Sequence, residues 1–438
     1  MMKKQTKIGT VCDDFDTFQL KFVLVKNDAG DWGSEPDDNA IGVIRSTNFN
    51  NDGKLDLSDI AYRTLSEKKF KEKKLFANDI LIERSGGSET QPVGRVGVIT
   101  DEIAETDYAF ANFIQRISLN DEVIAKFIYY CLQQMYEMGI TAGMQSQTTG
   151  IRNLDWKQYI KVSLPKPSLP EQTAIAAMLS KVDEAIAAVK DSIAAAERLK
   201  KSLMQNLLTG CMKPDGTLRT EKEFYLDEKF GKVPVGWEVK KVKDLFFMNQ
   251  NTLSNQTDAD FKFRYITIEA VNTESIDFES CPDFSFKESP GRARRIINDD
   301  DILISGVRPN LKAFAIYRKP NSQNWICSTG FHVLTAKDNV CPQFFFYQIL
   351  SSIGASQFHS WVAGSNYPAI GDSDMRNMLL YTPPYKEQLV INQKFESISK
   401  TQKAKQEKIA VLERLKKSLM QNLLTGRVRV NNFIKTNK

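Results

Sequence analysis

Few residues of this 438-residue chain combine the types and spacings that covalent chemistry needs. Its two histidines, His332 and His359, have no cysteine or carboxylate at ligand spacing, so neither a metal site nor a Ser/His triad is expected. No G-x-x-x-x-G-K-[ST] phosphate loop occurs, and no G-x-G-x-x-G; the glycines at 86, 87, 94 and 97 lack that spacing. Thr382-Pro383-Pro384-Tyr385 approaches the [DNS]-P-P-[YFW] motif that grips a target amine, but threonine replaces the required amide or carboxylate. Pro36-Asp37 followed by Asp52-Gly53-Lys54 fits a loose PD…D-x-K nuclease pattern, although Asp52-Gly53 is also an ordinary turn. The chemistry left to the chain is hydrogen bonding from loops, which other elements must position.

Those elements are duplicated. Glu197 to Gly210 and Glu413 to Gly426 both read ERLKKSLMQNLLTG, at an offset of 216. Carried upstream without a gap, the offset pairs Leu164 with Leu380, Pro167 with Pro383, Glu171-Gln172 with Glu387-Gln388, and Ile175 with Ile391. Between 164–210 and 380–426, 22 of 47 positions are identical, which excludes chance. Fainter echoes precede them. Asp79-Ile80-Leu81-Ile82 matches Asp301-Ile302-Leu303-Ile304 at offset 222, and Val123, Phe127 and Tyr130 match Val340, Phe344 and Tyr347 at offset 217. Drifting offsets mark insertions and deletions in loops. The organisation is variable domain, helix, variable domain, helix.

Apolar residues of the first helix fall at Ile175, Leu179, Val182, Ile186, Val189, Ile193, Ala196, Leu199, Leu203 and Leu207. Steps of four and three predict a coiled-coil seam of ~3.5 residues per turn. The second copy carries Ile391, Phe395, Ile398, Ile409, Leu412, Leu415, Leu419 and Leu423, with Gln402 and Lys405 as polar seam positions that can fix register. Pro170-Glu171 opens the first helix, and Gly210 and Gly426 are placed as C′ glycines. From Glu171 to Thr209 the helix spans ~58 Å. The regions before the helices are mixed α/β, with strands expected at Phe22–Lys26, Ile80–Glu83, Val96–Thr100, Arg264–Ile268 and Ile302–Ser305. Asn339 to Gly371 contains no Asp, Glu, Lys or Arg; polar residues interrupt it, so a buried helix and a polar loop are expected in place of a membrane span. Six scattered cysteines suit a reducing cytoplasm. No apolar stretch follows Met1 to Thr10 as a signal peptide would require. The net charge of +5 permits nucleic-acid binding without arguing for it.

The lead-in Leu-x-x-Pro-x-x-x-Glu-Gln, the heptad helix and the ending Lys-x-x-Leu-Met-Gln-x-Leu-Leu-Thr-Gly, each present twice, resemble type I restriction–modification specificity (S) subunits. So does the turn Val233-Pro234-Val235-Gly236-Trp237-Glu238, although no such turn opens the first repeat. The resemblance implies an α+β chain of two tandem mixed α/β target-recognition domains, each followed by a long helix, the two helices pairing as an antiparallel coiled coil. The expected boundaries are 1–163, helix 164–210, linker 211–233, second domain 234–379, helix 380–426 and tail 427–438. It further implies double-stranded DNA with a bipartite target, two methylation subunits and restriction subunits as partners, in a bacterial or archaeal cytoplasm. No cofactor is implied on this chain; S-adenosylmethionine, ATP and Mg belong to the partners, and the chain itself is implied to be non-catalytic.

Base and phosphate chemistry then nominates loops. Arg reads guanine bidentately, Asn or Gln reads adenine, and Lys, Ser or backbone hold phosphate. The first domain offers Arg84, Ser85, Ser88, Gln91 and Arg95, then Gln145, Gln147 and Arg152. The second offers Arg292, Arg294, Arg295, Arg308, Asn310 and Lys312, with Asn366-Tyr367 in the place of Thr148-Thr149. The run Lys68 to Lys74 reads as a solvated helix face. Lys200, Lys201, Gln205 and Asn206 recur as Lys416, Lys417, Gln421 and Asn422 while mid-helix residues drift, so these eight are expected to face outward and dock the two methylation subunits. Two other functions compete: a single-chain modification enzyme, which would need a cofactor glycine motif, and a coiled-coil scaffold binding only proteins, which leaves two divergent domains unexplained.

Overall fold

The computed structural model describes residues 4–88, 91–148, 151–362 and 369–430. They form two compact units: Met1–Lys190 with Glu407–Lys438, and Asp191–Gln406. Each unit therefore takes the start of one long helix and the end of the other.

The same turn opens the central strand of both units. Asn78 and Asp300 adopt left-handed backbone (φ 70° and 71°), which Asn and Asp tolerate. The next residue closes the turn with its carboxylate: Asp79 accepts from Phe76 N (3.0 Å) and Ser118 Oγ, and Asp301 from Asn298 N (2.7 Å) and Thr335 Oγ1 (2.7 Å). In the first unit the fully buried strand Ile80–Glu83 lies between Ile114–Leu119 and Val96–Val98, with Leu24–Ala29 outermost, all antiparallel. In the second, Ile302–Ser305 lies between Phe331–Ala336 and Phe314–Ile316, with Phe246–Met248 outermost. The order is the same. A second sheet in each unit contains one parallel pair, Ile41–Ile44 with Tyr108–Phe110 and Lys262–Ile266 with Trp325–Ser328.

Four sequence expectations shift. The strand expected at Phe22 starts at Leu24, because Leu20–Val23 forms a 3-10 turn that leaves Phe22 exposed. The runs from Val96 and Arg264 end two residues early, at Val98 and Ile266. Asn339–Gly371 holds two helices in place of one, Pro342–Leu350 and Ser352–Val362. They break at Ser351, whose Oγ accepts from Ile353 N (3.2 Å).

The long helices run Leu169–Leu208 and Tyr385–Leu423. In the first unit Ile175, Ala176 and Leu179 share a core with Met420, Leu423 and Leu424. In the second, Leu207 and Leu208 share one with Ile391 and Phe395. Asp183 meets Lys416 (2.8 Å) and Ser192 meets Lys405 (2.6 Å). As one helix advances the other recedes, so within each unit the helical segments are antiparallel. Lys405 lies on that contact as its seam position requires.

The seam changes phase near the repeat. From Ile193 the apolar residues step by three twice, to Ala196 and Leu199, where a seam needs three then four. The residue in phase is Lys200. Leu199 is accordingly 54% exposed and its equivalent Leu415 45%. Lys200 lies over Tyr347 and pairs with Glu274 (3.1 Å); Lys416 is buried beside Tyr130 and pairs with Asp183. The expectation that both lysines face outward is corrected: each ammonium turns onto a tyrosine ring and an acidic partner, with Lys416 buried and Lys200 half-buried.

The duplicated Glu-Gln explains how each helix is anchored. Gln172 accepts from Ile124 N (2.8 Å) and donates to Pro167 O (2.9 Å); Gln388 accepts from Cys341 N (2.9 Å) and donates to Pro383 O (2.9 Å). Each Gln thus ties a helix start to the buried helix of its own domain. The preceding glutamate reaches the opposite helix's end. Buried Glu171 receives Arg429 Nε (2.7 Å) and Nη2 (2.9 Å). Glu387 receives Arg219 Nη2 (2.7 Å) and Trp237 Nε1 (3.0 Å), while Arg219 Nη1 donates to Gly210 O (2.7 Å). Gly210 and Gly426 both have φ 71°, and an added Cβ would strike Pro234 or Cys12, as a C′ glycine packed under the next segment requires.

Arg429→Ala should destabilise the first unit by about 3 kcal/mol, since Glu171 would stay buried with no cation. Arg219→Ala should act on the second unit and cost less, because Trp237 still donates to Glu387. Hydrogen exchange resolved by peptide would check that each loss of protection stays within its own unit.

Candidate nucleic-acid interface

The loop leaving the central strand meets the segment that leads toward the long helix, and it does so twice. In the first unit Ser85–Gly87 pairs antiparallel with Ile151–Leu154, which in turn pairs with Gln145–Thr148. Ser85 lies opposite Asn153, and Leu154 N donates to Arg84 O (2.8 Å). In the second unit Val307 bridges Ala369, and Ile370 N donates to Gly306 O (2.8 Å). These pairs correspond through the sequence offsets: 85 and 84 become 307 and 306 at 222, and 153 and 154 become 369 and 370 at 216. In the first domain the nominated segments 84–88 and 145–152 therefore come together, and in the second the residues that flank the nominees, 306–307 and 369–370, do so. Asn366 and Tyr367 lie outside the described residues, as does the side chain of Gln147.

Individual nominees separate by what the fold asks of them. Arg95 is buried. Its Nε and Nη2 pair with Glu83 (2.8 and 2.7 Å), Nη1 donates to Phe49 O, and Nη2 also reaches Ser46 O (3.0 Å). Its nomination as a DNA contact is corrected: it neutralises a carboxylate at the end of a buried strand and ties down the 46–49 loop. Ser85, also buried, donates to Asn153 Oδ1 (2.6 Å), so its hydroxyl serves the sheet. Arg294 lies over Phe286 and donates to Ser289 Oγ (3.0 Å) and Ala293 O (2.8 Å). Arg295 donates to Thr252 Oγ1 (3.1 Å), and Lys312 Nζ to Leu350 O (3.1 Å). Arg84 reaches Gln115 (3.3 Å), Gln91 reaches Asn51 (3.1 Å), and Gln145 donates to Thr141 O (3.3 Å). Ser88 Oγ accepts from Gln91 N (3.1 Å), capping an exposed turn.

The arginines without a side-chain partner among the described residues are those best placed to turn outward. Arg152 is half-exposed on the paired strand, opposite Gly87. Arg292, Arg308 and Asn310 are exposed. Arg292 and Arg308 flank one turn: Thr329 N donates to Arg292 O (2.8 Å), and Gly306 N to Gly330 O (2.8 Å). His332, beside this turn, meets Ile370 O through Nε2 (3.1 Å), and its Nδ1 is 3.1 Å from Asp372. Burial pushes its imidazole down, against the opposing pull of Asp372.

A model of the type I restriction modification DNA specificity domain matches residues 12–198 and again 234–414. The chain belongs to that family. The DNA specificity domain is thus present in two copies, and the repeat is one copy of the family unit per half. The chain is 23% identical over 366 residues to the type I restriction enzyme MjaVIII specificity subunit of Methanocaldococcus jannaschii, covering 81% of this chain and 80% of that one. It is 22% identical over 447 residues to that organism's putative MjaX specificity subunit, covering 98% and 96%. The fold of the S subunit from M. genitalium superposes with a TM-score of 0.54 at 14% identity, covering 96% of this chain and 99% of that chain.

Features that the sequence had set aside as decoys are accounted for within these specificity domains. Thr382-Pro383-Pro384-Tyr385 leads into the second long helix, with Pro383 O accepting from Gln388. Asp52 Oδ1 accepts from Lys54 N (3.2 Å), closing a turn, while Asp37 bonds Thr64 (2.7 Å). The lysine run lies on helix Glu67–Lys73, where Lys69, Lys71, Lys73 and Lys74 pair with Asp31, Glu67, Asp28 and Asp107. Among the described residues no metal-ligand cluster is present and no helix is long and apolar enough to cross a membrane.

Sequence reasoning missed a cavity of about 360 Å³ beside Ser85, lined by Trp32, Arg45, Ser46, Thr47, Asn112 and Phe113. Phe113 O accepts from Arg84 N (2.8 Å), so the cavity adjoins the nominated loop. Its one sequence signal is Phe113 itself, an aromatic in a turn, 43% exposed.

Arg95→Ala should destabilise the first unit by about 3–5 kcal/mol, because Glu83 would be left buried and unpaired. Arg152→Ala should leave the melting temperature unchanged and weaken DNA binding. Parallel thermal melts and gel shifts on the two variants would check the division.

Proposed function

We propose that this chain is the sequence-reading subunit of a type I restriction–modification complex, with each domain reading one half of a bipartite DNA target. The observation that carries this reading is the repeated loop pairing. The same outlet of the same strand is joined to the segment before the same helix in both units, while the loop residues differ between them. A duplicated mounting with divergent tips suits two separate recognition events. On this reading the two long helices pair antiparallel along their length and set the distance between half-sites. The chain supplies no catalytic group; methyl transfer from S-adenosylmethionine and ATP- and Mg-dependent translocation and cleavage belong to methylation and restriction subunits, in a bacterial or archaeal cytoplasm.

Exchanging residues 1–163 for the first domain of another family member should change one half-site of the methylated motif only. Methylome sequencing of cells carrying the chimera reads this directly. A change in both halves, or in neither, would overturn separate reading.

We further propose that the repeated helix ends dock two identical methylation subunits. With Lys200 and Lys416 turned inward, the surface is narrower than the sequence suggested. Asn206 and Asn422 are half-buried and donate to Ser202 O and Ser418 O (2.9 Å each), which helix geometry alone explains. The exposed identical face is Arg198, Lys201, Ser202 and Gln205 in the second unit, and Arg414, Lys417, Ser418 and Gln421 in the first. Spacing of i, i+3, i+4 and i+7 places each set on one side of its helix. Each unit therefore presents one copy. Replacing Lys201 and Gln205 by Ala should leave the chain folded and reduce the complex from two methylation subunits to one by native mass spectrometry. A full complement of two would sink the proposal.

A further inference from the structure

The loop after Ser305 contains an arginine whose backbone costs the fold and whose side chain makes no contact that holds the fold among the described residues. Among the described residues seven non-glycine residues have positive φ, and four are Asn or Asp, the types that tolerate it. The other three are Glu274, Arg308 and Lys312. Two of these return a contact: Glu274 pairs with Lys200 (3.1 Å), and Lys312 Nζ donates to Leu350 O (3.1 Å). Arg308, at φ 50° and ψ 59°, is exposed, and its side chain has no partner among the described residues.

The chain itself shows the unstrained alternative. Through the paired offsets Arg308 occupies the place of Gly86, which has φ 109°. A Cβ on Gly86 would meet only Ser46 Oγ at 3.7 Å and Phe113 Cδ2 at 3.9 Å. Glycine is therefore used there for its backbone freedom and not for lack of room. The second domain also has a positive φ at this place, in a tighter left-handed turn, and fills it with a large cation. The turn is also rigid: Pro309 follows, and Leu311 N and Lys312 N donate to Arg308 O (2.9 Å) and Pro309 O (3.0 Å). A guanidinium projected from a fixed turn suits a planar, two-acceptor target better than a diffuse phosphate surface.

We propose that Arg308 reads a guanine, through O6 and N7, in the half-site assigned to the second domain; this rests on the DNA-reading function proposed above. The test uses Arg308→Gly and Arg308→Lys in the chain assembled with its methylation subunits, on genomic DNA, scored by methylome sequencing and by competition binding to motif variants. Arg308→Gly should melt at or above the parent temperature, since glycine relieves the turn. Both variants should lose discrimination at one G·C pair of the second half-site, by roughly 5- to 150-fold, with the first half-site unchanged. Lysine should fail like glycine, because it keeps the charge but not the fork. An unchanged motif in both variants would overturn the proposal. So would rescue by lysine with only a shallower salt dependence, which marks a phosphate contact. Lower melting of Arg308→Gly would show that the side chain serves the fold, and overturn it equally. Absence of any motif in the parent complex would strike the DNA-reading function itself.

Discussion

Each long helix begins with a glutamate that folding takes largely out of water, Glu171 fully and Glu387 in part, and a carboxylate so placed needs a cation. For Glu171 and Glu387 the cation comes from the stretch that follows the other helix, as Arg429 and Arg219. That single requirement dictates the rest of the architecture. The first unit cannot close without residues from the chain's far end, and the second cannot close without the segment between the repeats. Neither unit is a continuous stretch of domain plus its own following helix, because the ion pairs cut across that division. The adjacent glutamines do the complementary task, fastening each helix start to the buried helix of its own domain through Ile124 N and Cys341 N. Glu-Gln is thus a two-directional joint, and its duplication makes the joint reciprocal.

The repeat, the two long helices and the central strands were legible because they leave periodic or identical residues behind. The phase of the helix was not. Leu199 and Leu415 continue a leucine stripe by eye, yet two successive steps of three turn them outward and bring Lys200 and Lys416 inward. A composition rule that sends lysine to the surface fails there, because each ammonium lies over a tyrosine ring, Tyr347 or Tyr130, and pairs with a carboxylate, Glu274 or Asp183. Arg95 was misread for a related reason. A basic residue in a glycine-rich loop looks free until its partner is known, and Glu83 lies twelve residues away on a buried strand. The clue was present in Glu83, an acid directly after three core positions, which must have a cation somewhere. The second helix of the 339–371 region escaped notice because the break at Ser351 carries neither Pro nor Gly.

What the sequence nominated best was place, and what it nominated worst was role. Segments 84–88 and 145–152 were each chosen for loop chemistry and are neighbours in the first domain, and in the second the residues beside the chosen ones, Val307 and Ala369, are paired. Within them the fold claims Arg95, Ser85, Arg294 and Lys312 for itself and leaves Arg152, Arg292, Arg308 and Asn310 uncommitted. A rigid sheet with loops paired at its end holds such groups at fixed positions, and fixed positions are what base recognition needs.

The electrostatic economy of the chain follows the same division. Arg116 is buried against Asp28, whose carboxyl is held below its usual range; burial acts against ionisation, and the bonds from Arg116 and Lys73 outweigh it. Lys69, Lys71 and Lys74 are likewise paired. With a net charge of only +5, the chain carries little excess positive charge to neutralise a phosphate backbone, the term that supplies most non-specific affinity for DNA. A reader of this kind has few long-range contacts to hold it on the wrong sequence. Its discrimination can then rest on a handful of exposed side chains.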